Sequence, residues 1–147
     1  MSLPRVLLAE QSLPYRRVLR EALTAFRECE VDDTPDPEAA FDMALRRDYA
    51  LFLFALDLPR LPGDLLDRLL ASAYPRCHPG VHAAPPVIYL IRPSELPRMP
   101  SLARVSRVRG HVLIPPRLDS LLQLTQHLLP SRPGASDLGA APFPPPA

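Results

Sequence analysis

The sequence contains no lysine: all 17 basic residues are arginine. That excludes Schiff-base chemistry and every other mechanism that needs a lysine amine. Tryptophan is absent as well. Glycine occurs only five times, in no GxGxxG or Walker-type run, so a glycine loop that cradles phosphates is excluded. The two cysteines, Cys29 and Cys77, stand far apart. A disulfide framework is therefore not expected, and a reduced, cytoplasmic setting is. No apolar run reaches the ~18 residues of a membrane span. No basic stretch precedes a long apolar one at the start, so neither a membrane anchor nor a signal peptide is expected.

What the chain does have is proline, arginine and short apolar runs. Its 147 residues are 47% apolar, enough for one globular domain with one core. The formal net charge is only +1, which argues against a nucleic-acid binder with a basic surface all round. That average hides a division. Residues 1–74 carry 9 Arg against 13 acids, net −4, and residues 75–147 carry 8 Arg against 3 acids, net +5. The 21 prolines cluster after Pro75.

The most informative stretch is YALFLFALDLPRLPG, residues 49–63. Tyr49 to Leu56 is almost unbroken apolar sequence, whereas a strand with one wet face would alternate. A short continuous run closed by turn residues predicts a central parallel strand buried on both faces. Asp57, Pro59, Pro62 and Gly63 supply the turn chemistry. Arg5–Ala9 and Pro86–Ile91 predict two more buried strands, and Cys29–Asp33 and His111–Ile114 predict two weaker ones.

Helical stripes lie between the strands. Ser12 is placed to cap a helix with Pro14 in its first turn, followed by Tyr15, Val18, Leu19, Ala22, Leu23 and Phe26 on one face. Asp36 and Pro37 open the next, with Ala40, Phe41, Ala44 and Leu45 inward. Leu65 to Ala73 predicts a third helix, and Leu118 to Leu129 a last one. Residues 75–86 read as a long loop. Pro93, Pro97 and Pro100 require any fourth helix to be short or to start late, near Ser101. From Pro130 the composition predicts a disordered, Pro-rich tail.

Strand and helix thus alternate five times. This predicts an α/β fold: a doubly wound, five-stranded parallel sheet of flavodoxin-like order 2-1-3-4-5, with right-handed crossovers. In such sheets ligands gather at the carboxyl ends of the strands.

Four segments carry a resemblance. RVLLAEQSLPYRRVLREAL, YALFLFALDLPRLPG, PVIYLI and HVLIPPRLDSLL, in that order, resemble the opening strand and helix, third strand and loop, fourth strand, and fifth strand of the response-regulator receiver family. The resemblance covers roughly residues 4–129. It implies a receiver-like domain over 1–129 and a tail over 130–147. It also implies phosphoryl transfer to an aspartate, aided by Mg²⁺ and by donors to the phosphoryl oxygens. Pro59 and Gly63 keep the family's spacing from position 55, yet position 55 is Ala55, which has no nucleophile. The acidic pair that holds the metal falls on Glu10 and Gln11. The hydroxyl position falls on Ile91, the lysine of the Lys-Pro step on Pro115, and the aromatic switch position on Val112.

Asp57 lies two residues past Ala55, displaced along a strand by about 6.6 Å. Moving it to the nucleophile position breaks the Pro and Gly spacings, and the plain reading is a loop carboxylate. A divalent cation shared by Glu10 and Asp57 would have only two protein oxygens and be held weakly, so no metal or cofactor is expected. Cys77, His78 and His82 fall short of the four ligands of structural zinc, with Cys29 too remote to complete them. His111 and His127 sit in no catalytic motif. Pro142–Pro146 reads as a plain disordered end, with a polyproline ligand as the weaker alternative.

Arg92, Arg98, Arg104, Arg107 and Arg109 flank the fourth strand and read either as a solvated face or as a docking surface for an acidic partner. No aromatic residue lies among them, which argues against nucleic acid. The resemblance implies that partners, or a second copy in a homodimer, dock on the fourth helix, fifth strand and fifth helix. The expected function is a non-enzymatic, phosphorylation-independent signalling module that works by protein contact. Two alternatives stay open: ligand binding or enzymatic use of the vacated strand-end pocket, and a nucleic-acid accessory role for the Arg cluster.

Overall fold

The computed structural model describes residues 2–134. Eleven elements follow one another: β1 (Arg5–Ala9), α1 (Leu13–Phe26), β2 (Glu30–Thr34), α2 (Pro37–Arg46), β3 (Leu51–Ala55), α3 (Gly63–Cys77), β4 (Val87–Ile91), a 3-10 helix (Pro93–Arg98), α4 (Met99–Leu102), β5 (Val108–Leu113) and α5 (Leu118–Thr125). The sheet order is β2-β1-β3-β4-β5 and each pairing is parallel. This is the doubly wound order that the alternation of strand and helix predicts.

The middle of the sheet is dry. Every residue of β3 and of β4 is buried. Phe52 and Phe54 stack in β3 with ring centroids 4.9 Å apart. Each fully buried side chain of this size removes enough apolar surface from water to contribute about 1.5–3 kcal/mol. The helix starts follow from sequence. The Ser12 hydroxyl accepts from the Tyr15 amide, and the Asp36 carboxylate accepts from the Glu38 amide. Each satisfies a helix N–H that has no intrahelical partner.

Several boundaries differ from expectation; α5, for one, ends at Thr125 rather than Leu129. α3 continues through Pro75 to Cys77, so the loop begins at His78 rather than Pro75. The last turn survives the lost proline N–H because both neighbours are anchored. Tyr74 Oη accepts from the Tyr49 amide at 2.9 Å, and the His78 ring stacks on Tyr74 at 3.7 Å. Helical structure after β4 begins at once, at Pro93, and is short rather than late. It begins as a 3-10 helix whose first amides are secured by Glu95: its carboxylate accepts from the Arg92 amide at 2.8 Å. The prolines limit α4 to a single turn. β5 starts three residues early, at Val108, by way of an irregular register in which Gly110 takes φ +143°. That backbone region is open to glycine and strained for other residues.

Contacts run past residue 129. Glu28 N donates to Pro130 O, Arg132 N donates to Phe26 O, and Arg27 and Ser131 form an antiparallel bridge. The Pro142–Pro146 segment lies outside the described residues.

Candidate functional site

The carboxyl edge of the sheet is where the strand-end residues meet. Parallel pairing sets Ala9 beside Phe54, Ala55 beside Leu90 and Ile91 beside Leu113. Adjacent strands lie ~4.8 Å apart. Glu10, Ala55, Ile91 and Ile114 therefore form a staggered row at the strand ends: Ile91 lies one step past Leu90, the partner of Ala55, and Ile114 one step past Leu113, the partner of Ile91. Ala55 and Ile91 are fully buried, and Glu10 is 3% exposed. The loop after β3 returns tightly over them: Gly63 N donates to Leu56 O, and a Cβ on Gly63 would lie 2.0 Å from Ala55 O. Glycine at this position is a steric necessity.

Pro115 is exposed and one step outside this row. The residue in the row is Ile114, 7% exposed, whose amide donates to Ile91 O. The family's Lys-Pro step therefore fits Ile114–Pro115 as well as Pro115–Pro116, and on that register the aromatic position moves from Val112 to His111. Neither register supplies a lysine.

Polar groups close the row from outside. Glu10 Oε2 accepts from the Ser12 amide at 2.7 Å. Gln11 Nε2 donates to the Asp57 carbonyl at 3.1 Å. Asp57 Oδ2 lies 3.1 Å from Arg92 Nη2, with both side chains about half exposed. Arg16 Nη1 donates to the carbonyls of Glu10 and Gln11, while its Nε pairs with Asp33 at 3.0 Å. Arg60, in the left-handed region at φ 68°, reaches Asp36 and Glu38 from the β3–α3 loop. Burial pushes the Glu10 carboxyl up and Asp57 adds to it; the Ser12 amide and the Arg92 and Arg16 charges pull the other way.

β3 ends in a methyl group, and the two carboxylates near it are both engaged: Glu10 is buried and accepts from the Ser12 amide, and Asp57 pairs with Arg92. The residues also do not fit the divalent metal that the resemblance implies. Ala55 gives no oxygen, and a guanidinium already faces Asp57. Among the described residues no group of three or more His, Cys, Asp or Glu side chains is placed to share a metal ion.

Solved structures match this architecture. The receiver domain of an HD domain-containing protein from Pseudomonas fluorescens Pf-5 superposes with a TM-score of 0.70 at 17% identity, over 86% of this chain and 94% of its own. The chemotaxis protein CheY4 of Vibrio cholerae gives 0.69 at 18%, over 87% and 100%. The REC domain of AraT, a response regulator from Geobacillus stearothermophilus, gives 0.70 at 20%, over 97% and 100%. The fold is that of receiver domains. No protein-family model matches the chain, and no curated protein matches it in sequence.

On this receiver fold the five arginines have separate roles. Arg107 is engaged within the fold. Its guanidinium forms a bidentate pair with buried Asp67 at 2.7 and 3.1 Å and donates to the carbonyls of Ala84 and Pro85. Arg98 pairs with Asp64 at 2.8 Å, and Arg92 with Asp57. Arg104 and Arg109 are exposed and have no ion-pair partner among the described residues.

Of the histidine and cysteine candidates, His78 and Cys29 are built into the fold, whereas Cys77, His82 and His127 are exposed. His78 is buried, with Nδ1 2.7 Å from Asp48 and Nε2 2.7 Å from the Ala44 carbonyl, so both ring nitrogens are engaged. Burial pushes the Cys29 thiol up to about 11, against the pull of Arg132 and Arg27. A surface groove of about 610 Å³ lies at the opposite edge of the sheet among Pro4, Arg5, Arg47 and Tyr49. Sequence reasoning passed over Arg16, Arg60 and Ile114. Only the alternation of inward and outward residues beyond β5 could have indicated Ile114.

Proposed function

We propose that the chain is a receiver-like signalling module that works through protein contact and independently of phosphorylation, without enzymatic activity. One observation carries this reading: the residue that ends β3, at the phosphoacceptor position, is the buried Ala55. Around it stand Ile91 in place of the hydroxyl and Ile114 or Pro115 in place of the lysine. Phosphoryl transfer depends on positioning and charge neutralisation, and these side chains provide neither.

The surface of α4, β5 and α5 is the docking face of this reading. Exposed Val105 at 49% and Leu96 at 39% provide apolar contact, and Arg104 and Arg109, which have no ion-pair partner among the described residues, provide positive charge. An acidic protein surface suits this combination better than nucleic acid, since no aromatic side chain accompanies the arginines. Two free thiols, one of them exposed, suit a reducing compartment, the cytoplasm. Among the described residues no helix is long and apolar enough to cross a membrane.

The test is intact mass after incubation with acetyl phosphate and Mg²⁺. The wild type is expected to gain nothing, and so is Ala55→Asp, which still lacks the lysine, the hydroxyl and the second acid. One added phosphoryl group on the wild type, mapped to Asp57, overturns the proposal.

A further inference from the structure

Two carboxylates stand at the ends of neighbouring strands, Glu10 after β1 and Asp57 after β3, and the Gln11 side chain ties the two loops by donating to the Asp57 carbonyl at 3.1 Å. Arg92, at the end of β4, pairs with Asp57, its Nη2 lying 3.1 Å from Oδ2. The Arg92 charge pulls the Glu10 carboxyl down and that of Asp57 pushes it up. The other arginines nearby are committed elsewhere, Arg16 to Asp33 and Arg60 to Asp36 and Glu38.

We infer that Arg92 is a built-in counter-cation, paired with Asp57 at the strand ends that also carry Glu10, that takes the place of a free divalent ion and holds the loop after β4 to the loop after β3. With Arg92 present, the two acids carry one net negative charge between them. A divalent ion would have to strip Asp57 of its guanidinium to gain two oxygen ligands. Mg²⁺ sheds water reluctantly and binds tightly only with good octahedral geometry, so this exchange is unfavourable. Without Arg92, two uncompensated carboxylates stand at neighbouring strand ends and attract a dication. The inference is independent of whether the chain signals by contact, because it concerns only the charges at this edge.

The experiment uses Mn²⁺ as the probe on the full chain. Binding is followed by paramagnetic broadening of backbone amide signals and by the midpoint of thermal unfolding. The wild type is expected to show no localised broadening in millimolar Mn²⁺ and no rise in midpoint. Arg92→Gln is expected to bind at least about fivefold more tightly, the effect of removing one unit charge ~4 Å away in a water-like dielectric, with broadening centred on Ala55 and Asp57. Saturating this variant should raise its midpoint by a few degrees, about 3–6 °C at tenfold excess over Kd. Arg92→Lys keeps the charge and should behave as the wild type. Arg92→Gln combined with Glu10→Gln should lose the new site. Circular dichroism confirms that each variant is folded; Arg92 is exposed. Equal Mn²⁺ binding by wild type and Arg92→Gln overturns the inference. So does an Arg92→Gln variant that gains no binding, or a gained site that survives Glu10→Gln.

Discussion

At the scale of single residues, two buried carboxylates set opposite expectations. Glu10 is buried beside an apolar row, and burial is the largest influence raising its carboxyl. A raised value means that the folded chain binds this proton more readily than the unfolded chain. Its contribution to stability is then complete below the ordinary carboxylate range and is lost as pH rises through the raised folded value. Glu10→Gln is therefore expected to be more stable than the wild type at pH 7, and the gap should close as pH falls towards 4. Urea unfolding at a series of pH values measures this; a variant less stable at pH 7 would mean that the Ser12 hydrogen bond outweighs burial. Asp67 is different because its partner is buried with it: the side chains of Asp67 and Arg107 are only 6% and 15% exposed. Asp67→Ala leaves Arg107 buried without its counter-charge and is expected to cost about 3–5 kcal/mol. Replacing both, as Asp67→Leu with Arg107→Met, removes both charges and should cost much less. A loss no smaller in the double variant would show that the pair is not what holds α3 to the loop before β4.

At the scale of elements, β3 and its return loop were legible in the sequence, and the reason is steric. A strand buried on both faces has to be continuously apolar, so Leu51–Ala55 announces itself. The loop that folds back over it has to bring backbone against backbone, so position 63 has to be glycine. Gly63→Ala puts a Cβ 2.0 Å from Ala55 O and 2.8 Å from Ala55 C, backbone atoms that cannot swing aside. The expected loss is at least that of core overpacking, about 1–3 kcal/mol, read from the urea midpoint. An unchanged midpoint would mean that the loop relaxes freely. The elements that were misjudged depend on tertiary partners. Pro75 ends a helix by local rules, but Tyr74 and His78 are fixed by Tyr49, Asp48 and Ala44, residues 25 to 34 positions away. Pro115 and Ile114 differ only in which one faces inward, and that depends on where β5 ends. The guanidinium contacts of Arg16, Arg60 and Arg92 were illegible for a related reason. Long side chains reach across loops whose mutual distance is set only by the finished sheet.

At the scale of the whole molecule, the charge division between the two halves of the chain becomes largely internal. Arg92 pairs with Asp57, Arg98 with Asp64 and Arg107 with Asp67. Each pair joins the basic second half to the acidic first half, so the imbalance stitches β4, β5 and the segment between them onto the loop after β3 and onto α3. Counting charges along the sequence could suggest a basic face but not this use of it. The two ends of the fold are joined in the same way. Arg27 is buried at 8% exposure, and its guanidinium donates to Thr125 Oγ1, to the Leu122 carbonyl and to Ser131 Oγ. Arg132 Nε donates to the Thr24 carbonyl at 2.8 Å, and two backbone hydrogen bonds run between residues 26–28 and 130–132. Composition alone places the domain end at residue 129, but these contacts place part of the fold's closure beyond it. A chain ending at Gly134 keeps all of them and is expected to unfold at the same temperature as the full chain. A chain ending at Leu129 loses the bonds from Pro130, Ser131 and Arg132. At about 0.5–1.5 kcal/mol for each bond, discounted for partial exposure, the loss is about 1–3 kcal/mol, or several degrees in the thermal midpoint. The Arg132→Ala variant of the Gly134-terminated chain should fall between the two. If truncation at 129 leaves the midpoint unchanged, the clamp contributes nothing, and the fold ends where the composition changes.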